Sequence, residues 1–109
     1  MLDWYKKLYV GETAKKKEKK LVRRISRGRM APGVYLITLA SNGRDQLDIL
    51  SAVQAVWRGK RGLCPPIVGL AGSYGEALEL VEQMAREAFD QTGRADIRSY
   101  LTEWEEEGK

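Results

Sequence analysis

The chain has 109 residues, 43% of them hydrophobic and 31% charged, with a formal net charge of +4. That is enough for one folded domain, too little for two, and it excludes a disordered chain. With no histidine and a single cysteine, Cys64, the composition also excludes an internal disulfide, the usual zinc ligand sets, and Ser-His-Asp or Cys-His catalysis.

Residues 2–10 place Leu2, Tyr5, Leu8 and Tyr9 at helical spacing, which predicts a first helix stopped at Gly11. Thr13 is a cap for a second helix running to about Arg27, with Gly28 ending it. Its apolar stripe is narrow (Ala14, Leu21, Val22 and Ile25), and the rest is mostly Lys and Arg. After the turn Ala31-Pro32-Gly33, the run 34–40 is nearly all apolar and rich in strand formers, as in a strand covered on both faces. Asn42 and Asp45 resemble a capping box before a helix over about 44–58, whose face is Ile49, Leu50, Val53, Val56 and Trp57. A loop through Pro65-Pro66 opens a second strand, 67–71. Ser73 and Glu76 then fit a capping box for a helix over about 75–91, ended by Thr92-Gly93. Residues 95–101 alternate, with Ile97 and Leu101 on one side, and predict an edge strand.

These elements imply an α/β fold. Two N-terminal helices precede a three-stranded parallel β-α-β-α-β sheet, its most apolar strand in the middle, order 2-1-3. The whole chain, 1–109, is then one domain: a basic helical segment 1–30, a core 31–101 and an acidic tail 102–109. No apolar stretch approaches the roughly 20 residues that span a bilayer, and the first residues lack an apolar signal core. A cytoplasmic protein with no membrane partner is expected.

Charge is distributed unevenly. Residues 1–33 hold eleven Lys and Arg against three acids, and residues 76–109 hold four against ten. Such asymmetry points to a polyanion partner or to association between the two ends. On a helix, Lys16, Lys19, Lys20, Arg23 and Arg27 form one exposed strip able to neutralise phosphates with release of counterions. Aromatics do not interleave that strip, which argues against base stacking on it. The competing readings are a solvated outer face, or neutralisation by the chain's own acidic end.

A second candidate is a small anion, such as a phosphate-bearing compound, at the loops beyond the strand ends. There Asn42, Gly43, Arg44, Gly72 and Ser73 would open two helices near one edge of the sheet. The glycines at 69, 72 and 75 match neither the dinucleotide fingerprint nor the P-loop. Asp45 and Asp48 make too thin a pair for Mg²⁺. Lys60 and Arg61 near Cys64 would lower its pKa. No cofactor and no catalytic residue emerge, which leans against an enzyme. The reading is a binding module for a polyanion such as RNA. Small-anion binding and a protein–protein adaptor role, on an acidic surface or in a homo-oligomer, are the alternatives.

The segments 8–12 (LYVGE), 33–42 (GVYLITLASN) and 69–81 (GLAGSYGEALELV), with the basic helix, resemble a family of small uncharacterised proteins of anaerobic Gram-positive bacteria. The resemblance implies a bacterial cytoplasmic setting and carries no activity or site residue to transfer.

Overall fold

A computed structural model describes residues 2–40, 46–94 and 96–107. In chain order the elements are β1 (Trp4–Val10), a 3-10 turn (Lys15–Lys17), α1 (Glu18–Ser26), β2 (Tyr35–Leu39), β3 (Leu47–Ser51), α2 (Ala52–Lys60), β4 (Ile67–Ala71), α3 (Tyr74–Thr92) and α4 (Ile97–Glu107). The strands form one four-stranded mixed sheet in the order β1-β4-β2-β3. β1 pairs parallel with β4, and β2 pairs antiparallel with both β4 and β3. This corrects the expected three-stranded parallel sheet in the order 2-1-3.

Three elements account for the difference. Residues 4–10 form a strand instead of a helix. Trp4, Leu8 and Val10 pack into one core cluster, Tyr5 and Tyr9 into the other. A strand that packs on both faces carries apolar residues at offsets that also fit a helix, and its pairing with the distant β4 decides the outcome. The predicted helix over 44–58 is divided. Leu47–Ser51 lies antiparallel along β2, from Leu39↔Leu47 to Tyr35↔Ser51. The chain between β2 and β3 is too short for a crossover, so only antiparallel pairing is open to it. The helix proper starts later, at a reciprocal capping box. Gln54 N–H donates to Ser51 Oγ at 3.2 Å, and Ser51 N–H donates to Gln54 Oε1 at 2.9 Å. The expected edge strand over 95–101 is α4. Ile97 and Leu101, four residues apart, share a helical face, and Asp96 accepts the Ser99 N–H at 3.2 Å.

The other elements form where the sequence places them: strands at 35–39 and 67–71, and helices ended by Gly28 (φ +75°) and Gly93 (φ +72°). Their left-handed backbone suits a residue without Cβ.

The sheet is covered on both faces. Ile25, Leu36, Leu50, Ala55, Ile67 and Leu70 build the core under α1 and α2. Ile37, Val68, Ala77, Leu80, Met84 and Leu101 build the one under α3 and α4. Gly69 lets α3 approach closely, since a Cβ there would meet Ile37 Cδ1 at 2.9 Å and Met84 Cε at 3.2 Å. β1 is an edge strand, and Glu105 of α4 blunts it by accepting the Lys6 N–H at 3.0 Å and the Lys7 N–H at 3.4 Å. Thr38 is fully buried, and its hydroxyl finds no hydrogen-bond partner among the described residues.

Strand direction positions the candidate site. β1, β3 and β4 run one way and β2 the other. The carboxyl ends of β1, β3 and β4 therefore meet the start of β2 at one end of the sheet. Two backbone bonds tie that end together: Gly11 N–H to Leu70 O at 2.8 Å, and Ala52 N–H to Val34 O at 2.9 Å. No helix among the described residues is long and apolar enough to cross a membrane.

Candidate anion-binding face

The basic segment folds as one turn of 3-10 helix continued by α1, held down by the buried Ala14 and Ile25 with Leu21 and Val22 beside them. Trp4 Nε1–H donates to Ser26 Oγ at 2.9 Å and fixes the far end of the helix on β1. Lys16, Lys19, Lys20, Arg23 and Arg27 all point away from this anchor and are exposed. None of the five is paired with a carboxylate among the described residues.

Layering turns the charge gradient of the chain into two charged faces. The 3-10 turn, α1 and α2 together carry nine Lys and Arg and one Glu. The helices α3 and α4, across the sheet, carry two Arg and nine Asp and Glu. α4 packs against α3 and β1, and α1 belongs to the other core cluster. The acidic end is thus spent on β1 and on its own layer, away from the basic strip.

The layer of α1 and α2 is continuous. A Cβ on Gly28 would lie 3.5 Å from Lys60 Cε and 3.8 Å from Val56 Cγ1, so the end of α1 abuts the end of α2. A cleft of about 210 Å³ between them is lined in part by Arg27 and Lys60.

A larger cleft, about 440 Å³, opens on the opposite flank of α1, at the sheet end where β1 and β4 finish. Lys17, Lys20 and Arg24 form one wall, Ala31, Pro32 and Val34 the other, and Thr13 and Gly72 close the end. Among the described residues no carboxylate lines it. Arg24 Nε–H is tied to the Met30 carbonyl, which holds that side chain along the wall.

Next to Thr13 and Gly72 lies a built-in carboxylate. Ser73 caps α3 by accepting the Glu76 N–H at 3.1 Å, as the sequence pattern predicts. The Glu76 side chain reaches further than a capping box requires. It accepts the Gly72 N–H at 2.9 Å, the Thr13 N–H at 3.2 Å and the Thr13 hydroxyl at 2.9 Å. Partial burial pushes the Glu76 carboxyl up, and the bonds from Gly72 and Thr13 outweigh it, leaving it below the usual carboxylate range. Thr13, expected to cap the basic helix, serves this clamp instead. Gly11 and Gly72 make room for it, since a Cβ would fall 1.9 Å from Glu76 Oε1 and 2.0 Å from Thr13 Oγ1 respectively.

The predicted small-anion loops do not come together. β2 runs antiparallel to β4, from Tyr35↔Ala71 to Thr38↔Ile67, so its carboxyl end lies across the sheet from Gly72 and Ser73. Asn42, Gly43 and Arg44 themselves lie outside the described residues. Asp48 belongs to β3, opposite Thr38, not to a helix face. Among the described residues no group of three or more His, Cys, Asp or Glu could hold a metal ion. The Cys64 thiol is pushed up by burial against the opposing pull of Arg58, contrary to the lowering expected from Lys60 and Arg61.

Lys17 and Arg24 are cleft residues that helical spacing does not single out, because the cleft forms only where α1 meets the segment before β2. Helical spacing also assigns Trp57 to a core face. Trp57 is 61% exposed, and the Arg61 guanidinium lies 4.5 Å from the centre of its ring. Comparison with known proteins found no matching family model, no matching curated protein and no matching solved structure.

Proposed function

We propose that this chain is a non-enzymatic binding module that docks on a polyanion such as RNA through the outer face of α1. One observation carries the reading. Five cations, Lys16, Lys19, Lys20, Arg23 and Arg27, stand exposed and without carboxylate partners among the described residues, while the acids are gathered across the sheet. A face of one sign binds phosphates by releasing condensed counterions, and its affinity falls steeply with salt.

Fluorescence anisotropy against labelled RNA and duplex DNA, over a salt series, tests it. Five phosphate contacts on a duplex give a slope of log K on log salt of about −4.5, and a loss of several hundred-fold between roughly 50 and 200 mM. Replacing Lys16, Lys19, Lys20 and Arg23 together by Ala should flatten the slope to about −1. Absence of binding at low salt, or an unchanged slope in the variant, refutes the reading.

A second reading, a small phosphate-bearing ligand, is favoured by the cleft that Lys17, Lys20 and Arg24 line without a carboxylate among the described residues. Its test is a thermal-shift series with nucleotides and phosphorylated metabolites. A bound ligand raises the melting temperature by linkage, and Arg24→Ala should abolish the rise. A flat response across the series rejects this reading.

A further inference from the structure

We infer that the polyanion is single-stranded nucleic acid, and that Trp57 and Arg61 on α2 form a stacking platform for an unpaired base beside the phosphate-binding strip of α1. The inference rests on the polyanion reading and adds to it the form of the substrate. It begins from an anomaly of burial. Tryptophan is largely buried in most folds. Trp57 is 61% exposed and Leu63 beside it 64% exposed, although the core of this domain is filled without them. Together with Arg58 and Arg61 they line an open concavity of about 430 Å³. Its lining combines an aromatic side chain with two guanidinium groups.

The charge around it selects the occupant. An apolar protein surface placed here would have to desolvate Arg58 and Arg61 without supplying partners. A nucleotide supplies both halves of the match: a π-face for Trp57 and a phosphate for the arginines. Arg61 Cζ lies over the Trp57 ring, 4.5 Å from its centroid, which puts a cation beside the aromatic face where the phosphate of a stacked nucleotide would sit. Duplex bases are stacked on each other and their faces are closed to such a platform, so only an unpaired strand gains from it.

Position joins platform to strip. Val56 and Lys60 face Gly28 at the end of α1, and Trp57 follows Val56 by about 100° around α2, on the outward side. Lys60 lines one cleft with Arg27 and follows Trp57 by about one turn of α2. One strand can therefore run from Lys16, Lys19, Lys20 and Arg23 past Arg27 and Lys60 onto Trp57. The aromatic absent from the basic segment of the sequence is brought to it by the packing of the two helices.

The test compares a labelled 12-nucleotide oligouridine with an RNA duplex of the same length, on the full chain. Trp57→Ala should weaken the single strand about 10-fold and the duplex less than about twofold, consistent with the loss per stacked base. Trp57→Phe should recover part of the loss. Trp57 is exposed, so the melting temperature of each variant, measured alongside, should stay near wild type. If Trp57→Ala leaves oligouridine binding unchanged while the four-alanine strip variant abolishes it, the platform is overturned and the polyanion reading stands. If the wild-type chain binds neither RNA, both fall. A Trp57→Ala variant that changes only the mass seen by light scattering makes the patch a contact between copies, and also overturns the platform.

Discussion

Replacing Glu76 by Ala perturbs a carboxylate that ties the end of β1 to the start of α3. The side chain accepts the Gly72 N–H, the Thr13 N–H and the Thr13 hydroxyl. Hydrogen bonds to a charged group contribute about 1.5–3 kcal/mol each when well shielded, and bonds converging on one group are not additive. With Glu76 only partly buried, the loss for Glu76→Ala should be about 2 kcal/mol. For a domain of this size that corresponds to a drop of roughly 9 °C in melting temperature. Gly11→Ala acts on the same contact, because its new methyl group would occupy the position of Glu76 Oε1. The double variant should therefore be little worse than Glu76→Ala alone. The pH dependence has a fixed sign. The folded carboxyl lies below its ordinary value, so its stabilisation is complete above about pH 4.5 and fades as pH falls through the folded pKa. The gap between wild type and Glu76→Gln, followed by urea denaturation from pH 7 to pH 3, should close over that fall. A Glu76→Ala variant within about 0.5 kcal/mol of wild type at pH 7, or two strictly additive single variants, would refute the clamp.

Three further outcomes are expected. Thr38→Val removes a fully buried hydroxyl that has no partner among the described residues, and should raise stability by about 1 kcal/mol in urea; a loss would mean that the hydroxyl is satisfied in solution. Glu105→Ala exposes the Lys6 and Lys7 amides on the β1 edge, and should cost about 1 kcal/mol and increase self-association in light scattering; an unchanged scattering profile would contradict the edge-blunting role. Burial first, then the 2.7 Å bond to Glu87, raises the Tyr9 phenol well above its ordinary value, so its contribution is complete below about pH 10 and lost above it. The stability gap between wild type and Tyr9→Phe should thus be flat from pH 7 to 10 and shrink beyond; a gap that widens there argues against the bond.

Local signals in this chain are reliable where one element settles its own conformation. The strands 35–39 and 67–71, the Ser73 cap and the Gly93 stop are legible because composition, punctuation and period agree within a few residues. The misread elements depend on partners. Leu2, Tyr5, Leu8 and Tyr9 satisfy a helical offset only because β1 is sandwiched between two cores, a fact that belongs to β4 and to the helices. Leu47–Ser51 lies beside a hairpin partner, and the helix starts at the Ser51–Gln54 capping pair, which in sequence competes with Asn42–Asp45. Ile97 and Leu101 fit both periods, and the helix wins because it lays both against the core and brings Glu105 to the β1 edge. The candidate site divides in the same way. The strip on α1 follows from helical spacing alone. The cleft wall of Lys17, Lys20 and Arg24 and the nearness of Trp57 to Lys60 arise only when α1 is laid against the β2 start and α2.

The two oppositely charged helix layers give the molecule a large electric moment perpendicular to its sheet. Near a chain of phosphates it experiences a torque before any contact forms, within the screening distance of about 8 Å at physiological salt. On the proposed reading it would land basic side down. A polymer coated in this way would not become neutral, because every bound molecule would present the exposed Glu79, Glu82, Asp90, Glu103 and Glu106 of α3 and α4 outward. Such a coat would itself be an anionic surface for further copies, so on that reading saturation at low salt should exceed one monolayer and return to it as salt is added.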